Sequence, residues 1–156
     1  FSMKILDLLH PDAIIAQLRA SSKEEVLAEL VQPIASMNPT VDKAILVRTL
    51  LERESLGSTG IGGGVAIPHG KIEGLARLSA SFGRSSQGVE FGSMDNKPTY
   101  LFFLLVAPRN SAGDHLKALA RISKLLQDPL FKSSIQHAES RERIFAIFEE
   151  YDRRLP

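Results

Sequence analysis

A single α/β domain, with a mixed central β-sheet flanked by α-helices, is the fold this sequence predicts, and three observations predict it. Helical periodicity occupies the regions towards both ends of the chain. Alternating and continuously apolar segments occupy its middle. No internal repeat or low-complexity linker divides the 156 residues, a length that suits one core. The domain is expected over residues 3–152, with Phe1 and Ser2, which stand ahead of Met3, set aside as an expression remnant.

The elements follow in order. Ser22, Lys23, Glu24 and Glu25 have capping-box spacing, in which the Ser22 hydroxyl accepts from a first-turn amide and Glu25 reaches back. Val26, Leu27, Leu30, Ile34 and Met37 then share one helical face, with Pro33 expected to bend or interrupt it. A second helix is expected from about Asp42 to Glu54, with Leu46, Val47, Leu50 and Leu51 as its stripe. The period then changes. Leu78, Ala80 and Phe82 alternate with Ser79, Ser81 and Gly83, as in a strand with one covered face. Thr99–Ala107 is almost continuously apolar, as in a central strand covered on both faces. Gln87-Gly88 and Asp95-Asn96 read as turns. Helices return at about Asp114–Gln127, after Asp128 as a cap with Pro129 at the first helical position, and around Ile144–Tyr151.

Composition removes several classes of function. Apolar residues at 44% and charged ones at 24% exclude intrinsic disorder. A net charge of +1 gives no reason to expect nucleic acid or an anionic membrane as partner. The absence of cysteine excludes disulfides, thiol redox chemistry and thiolate-bound zinc. No apolar stretch has the length of a membrane span, and the N-terminus does not read as a signal peptide, so a cytoplasmic protein without membrane insertion is expected.

The unusual stretch runs from Leu56 to Gly70 and holds six of the eleven glycines. Glycine costs backbone entropy, so such density belongs where the chain turns tightly or approaches a ligand. The P-loop pattern fails because no Lys-Ser or Lys-Thr follows the glycines. The dinucleotide fingerprint fails because starts at Gly60 and Gly62 put Val65 and Ile67 where the last glycine belongs. What remains is a loop, a short apolar strand at Val65–Ile67, and a Pro68-His69-Gly70 turn. Imidazole is nucleophilic and partly neutral at physiological pH, so it can accept and return a phosphoryl group without a nucleotide. Ser58, Thr59 and the loop amides are candidate donors to the phosphoryl oxygens. On spacing alone, a plain glycine loop with a surface histidine accounts for the segment equally well.

The run from Arg53 to Gly70 closely resembles the active-site segment of the fructose/mannitol/nitrogen-regulatory enzyme IIA family of the bacterial phosphoenolpyruvate-dependent phosphotransferase system. Supporting similarity covers Lys23–Leu27, Gly88–Phe91, Lys97-Pro98 followed by Tyr100–Pro108, and His115–Ala120. The resemblance implies the enzyme IIA fold, His69 as phosphoryl acceptor and His115 as the second active-site histidine. It further implies Arg53, Ser58, Thr59, Gly62 and Gly64 as phosphate-stabilising residues. It also implies a histidine phosphocarrier of the HPr type as donor, and no cofactor, metal or nucleotide. Gly63 departs from the family, which often has Asn there. His10 is assigned to a loop and His137 to a helix end, no metal constellation is read around His69 or His115, and Asp114 is assigned to a helix cap.

Two destinations for the phosphoryl group follow from the resemblance. One is a IIB domain serving fructose or mannitol; the other is control of nitrogen and potassium regulatory target proteins. The chain carries no fused carrier, IIB or membrane domain, which favours the regulatory branch. A protein-binding module that keeps the fold without transferring phosphate is the reading from another class.

Overall fold

The computed structural model of the chain describes residues 3–111 and 113–156; Phe1 and Ser2, set aside above as a remnant, lie outside the described residues. A 3-10 turn at Ile5–Asp7 leads into β1 (Leu9–Ile15), α1 (Lys23–Met37) and α2 (Lys43–Ser55). Three short strands follow, β2 (Gly60–Gly62), β3 (Val65–Ala66) and β4 (His69–Ile72). Two long strands, β5 (Ser79–Val89) and β6 (Thr99–Pro108), precede α3 (Asp114–Leu126), α4 (Pro129–His137) and α5 (Arg141–Arg154). The sheet runs β1-β5-β6-β3-β2, and β4 also pairs with β6. Pairing is mixed: β5 lies antiparallel to β6, while β1 on β5 and both β3 and β4 on β6 are parallel.

β6 is the spine of the domain, and its continuous apolar run is explained by two cores. Leu101, Phe103 and Leu105 face one core, with Ala118, Ile122, Leu125, Phe131, Ile144 and Phe148 from α3, α4 and α5. Phe102, Leu104 and Val106 face the other, with Val26, Leu27, Leu30, Ile34, Leu46 and Leu50 from α1 and α2. On the first face Phe148 meets Phe82, Phe103 and Phe131 at ring-centroid distances of 5.1, 5.9 and 5.0 Å. Such tilted and edge-on contacts suit the aromatic quadrupole. No helix among the described residues is long and apolar enough to cross a membrane.

Five expectations change in detail. The segment containing His10 is a strand and not a loop, and a strand therefore precedes the first long helix; Pro11 is tolerated because β1 is at the sheet edge. Gln87-Gly88 is not a chain reversal: both residues lie inside β5, where the register with β6 shifts between Arg84 and Val89. Gly88 takes φ 85°, so the local kink is a bulge. Pro33 does not interrupt α1, whose apolar face continues to fully buried Ile34. Asp114 is the first residue of α3, and the cap is Gly113, which has no side chain to offer. Pro68-His69-Gly70 is not a free turn, since His69 opens β4 opposite Leu105.

Candidate functional site

β3 and β4 lie end to end along one edge of β6: Val65 and Ala66 pair with Leu101 and Phe102, and His69 resumes the ladder at Leu105. Ile67 and Pro68 bridge the gap. Pro68 has no amide hydrogen to offer, and its carbonyl accepts from the Leu105 amide at 3.0 Å. The Ile67 amide donates to the Thr59 carbonyl at 3.0 Å. The Ile67 carbonyl is 2.8 Å from Nδ1 of His69. A carbonyl can only accept, so Nδ1 carries the proton and Nε2 keeps a free lone pair.

The imidazole opens into a cavity of about 250 Å³ at this edge of the sheet. α2 supplies Thr49 and Arg53 as one wall, and α3 supplies His115 and Leu119 as the other. β4 contributes His69, Gly70 and Lys71, and Leu105 and Ala107 of β6 add apolar floor. The two walls come from helices that pack on opposite faces of the sheet, which is why the cleft forms where the sheet ends. Arg53 is in the last turn of α2, where a cation complements the helix dipole, and its Nη1 donates to the Gly57 carbonyl at 2.9 Å. The remaining guanidinium N–H groups are available to an anion in the cleft.

His115 sits in the first turn of α3. Its Nδ1 is buried and has no hydrogen-bond partner among the described residues. Burial, then the Lys71 ammonium, then His69 hold its imidazole below the ordinary histidine range, which favours the neutral ring beside His69. Glu73, four residues beyond His69, forms an ion pair with Arg109 at 3.3 Å.

Three of the residues singled out in the sequence therefore meet: His69, His115 and Arg53. Four others do not line the cavity. The Ser58 hydroxyl donates to the Phe91 carbonyl at 2.7 Å and accepts from the Gly60 amide at 3.0 Å. Thr59 is buried, and both its amide and its hydroxyl donate to the Glu54 carboxylate. Gly62 and Gly64 belong to the β2–β3 hairpin. There the Gly63 amide donates to Asp95 at 3.0 Å, and the Gly64 carbonyl accepts from the amides of Tyr100 and Leu101. The glycine run does cradle an anion, but it is the chain's own: Gly63 first, then Lys97, hold the Asp95 carboxyl below its ordinary range.

Lys71 and Thr49 are the cavity residues that sequence reasoning passed over. Each had a signal. Lys71 is two residues from His69, on the same side of a strand, and Thr49 is one helical turn before Arg53.

Residues 7–151 match the family model described as phosphoenolpyruvate-dependent sugar phosphotransferase system, EIIA 2. A nitrogen regulatory protein of Bradyrhizobium diazoefficiens is 40% identical over 145 residues, which are 93% of this chain and 94% of that protein. The fructose-specific EIIABC component of Bacillus subtilis is 35% identical over 97% of this chain, which spans 24% of that longer protein. The crystal structure of nitrogen regulatory protein IIA-Ntr from Neisseria meningitidis superposes with a TM-score of 0.86 at 31% identity, over 92% of this chain and 98% of that one.

Proposed function

Since the chain belongs to the enzyme IIA type-2 family of the phosphotransferase system, we propose that it carries a phosphoryl group on Nε2 of His69. The observation that carries this reading is the bond from Nδ1 to the Ile67 carbonyl, which leaves Nε2 as the nucleophile. The donor is a phosphohistidine on a small carrier protein of the HPr type. Nε2 attacks phosphorus in line, a new N–P bond forms, and the N–P bond to the donor imidazole breaks with its electron pair returning to the donor. The Ile67 carbonyl stabilises the positive charge that the His69 ring develops. Transfer between two imidazoles is nearly isoenergetic, so the protein contributes positioning and electrostatics.

Arg53 and Lys71 supply positive charge to the phosphoryl oxygens, and neutral His115 supplies a ring N–H. Once the phosphoryl dianion is in place, its charge favours protonation of His115 and strengthens that bond. Purified protein mixed with phosphoenolpyruvate, enzyme I and HPr is expected to gain an acid-labile phosphohistidine. Failure of the wild type to label excludes the carrier role, and labelling that survives in His69→Ala excludes the site.

The regulatory branch is the preferred destination, supported by the nitrogen regulatory relatives that match along nearly their whole length. In that role the phosphorylation state sets binding to nitrogen and potassium regulatory targets. The sugar branch has its own support in the fructose-specific relative. Transfer from the phosphorylated chain to a fructose or mannitol IIB domain, followed as sugar phosphate, decides between them.

A further inference from the structure

Glu54 is buried, with its side chain 3% exposed, and lies next to Arg53 on α2. One oxygen takes the Thr59 amide at 3.1 Å and the other takes the Thr59 hydroxyl. Its charge is balanced by Lys23 at 3.2 Å, an ammonium that also sits 4.7 Å from the centre of the Phe91 ring. This fixture continues to the reacting atom. Thr59, gripped through both its polar groups, presents its carbonyl to the Ile67 amide, and the Ile67 carbonyl takes Nδ1–H of His69.

We propose that Glu54 is a positioning residue for the acceptor: by fixing Thr59 it sets the Ile67 carbonyl that keeps the proton on Nδ1 and Nε2 free. The inference rests on the phosphoryl-carrier reading for its purpose, though not for its geometry. A carboxylate is suited to this place because it accepts two bonds from one residue in a fixed orientation. A neutral imidazole has two tautomers of similar energy, so the bond at Nδ1 decides which nitrogen carries the lone pair. Ile67 and Pro68 lie in the gap between β3 and β4, so ladder pairing alone does not set the carbonyl; the Thr59 bond supplies the second constraint. The same α2 turn therefore places Arg53 in the cleft and aligns the acceptor.

The test reads the His69 tautomer in unphosphorylated, 15N-histidine-labelled protein, by two-bond and three-bond 1H–15N correlations at a pH where the ring is neutral. The wild type is expected to hold Nδ1–H. Thr59→Val removes the hydroxyl bond with little change of shape, and Glu54→Gln removes the paired acceptor. Both are expected to populate the Nε2–H tautomer substantially and to slow phosphorylation by HPr roughly tenfold to a hundredfold. Leu30→Ala, a core change in the same layer away from this chain of bonds, is expected to lower the melting temperature and leave the tautomer as it was. Should Glu54→Gln not fold, Thr59→Val carries the test. Destabilised variants whose His69 stays in the Nδ1–H form overturn the proposal, because Glu54 is then structural only. A tautomer shift together with a wild type that accepts no phosphate supports the positioning role and overturns the carrier reading instead.

Discussion

Replacing Arg53 by Met separates transfer from stability, because the structure assigns the two losses different sizes. In the free protein the guanidinium makes one hydrogen bond among the described residues, from Nη1 to the Gly57 carbonyl, in an exposed setting. Losing that bond and a helix-end cation costs about 1 kcal/mol of stability at most. With a phosphoryl group on His69, the remaining N–H groups form charge-assisted bonds worth roughly 1.5–3 kcal/mol in total. At about 1.4 kcal/mol per decade, phosphorylation slows by roughly tenfold to 150-fold. Arg53→Lys keeps the charge without the fork and is expected to fall between Met and the wild type. The assay is quenched-flow labelling from phospho-HPr under subsaturating conditions, paired with urea denaturation of each variant. A Met variant that labels within twofold of the wild type refutes the placement of Arg53 at the phosphoryl oxygens. So does a loss of rate that merely follows a loss of folded protein.

Phe148→Ala removes a fully buried ring with three aromatic neighbours and is expected to cost about 3–5 kcal/mol in urea denaturation, with the secondary structure retained. Gly74 has φ +88°, and a Cβ there would stand 2.5 Å from the Thr40 carbonyl oxygen, so Gly74→Ala is expected to lose at least about 2 kcal/mol. Gly63→Asn, which restores the residue common in the family, meets only the Lys132 ammonium at 3.0 Å, the far end of a long side chain that donates to the Gly63 carbonyl, in a left-handed conformation that Asn accepts, and is expected to change stability by less than about 1 kcal/mol. The folded pKa of His115 is lowered, so the unfolded chain binds more protons as pH falls through the ordinary histidine range. The wild type therefore loses stability there, on the way down to the folded pKa, relative to His115→Asn, and keeps its full stability above it. Ring NMR is expected to place the His115 midpoint below an ordinary histidine and to move it upward on phosphorylation; a midpoint at or above the ordinary value refutes the assignment.

Legibility in the sequence followed how local each signal was. α1 and α4 announced themselves through Ser22 and Asp128, whose side chains do accept first-turn amides, and α5 through its apolar stripe alone, although Ser140 caps it in the same way. β6 was readable because a strand covered on both faces is apolar without interruption. β1 was hidden because Pro11 and Asp12 break its alternation, and its partner Ala80 is far away in the sequence. β4 was hidden because glycine and proline around His69 have the composition of a turn, while its strand character comes from the ladder on β6. At the site, His69, His115 and Arg53, singled out together only through the family resemblance, do line one cavity. Ser58, Thr59, Gly62 and Gly64 do not line the cavity, because donor capacity was read without knowing which acceptors were already in place. Glu54 takes the Thr59 amide and hydroxyl, the Phe91 carbonyl takes the Ser58 hydroxyl and Asp95 takes the Gly63 amide, and none of these contacts has a fixed spacing to betray it.

The parallel pairing of β1 with β5 orders events in time. Leu9 reaches Ala80 only after α1, α2 and the three short strands have been traversed, and parallel closure over such a span is slow. During synthesis β1 emerges first and waits longest for a partner. Arg53, His69 and His115 come from α2, β4 and α3, so a nascent chain that stops short of α3 has His69 but only one wall of the cleft. The complete cleft is then among the last features the growing chain acquires.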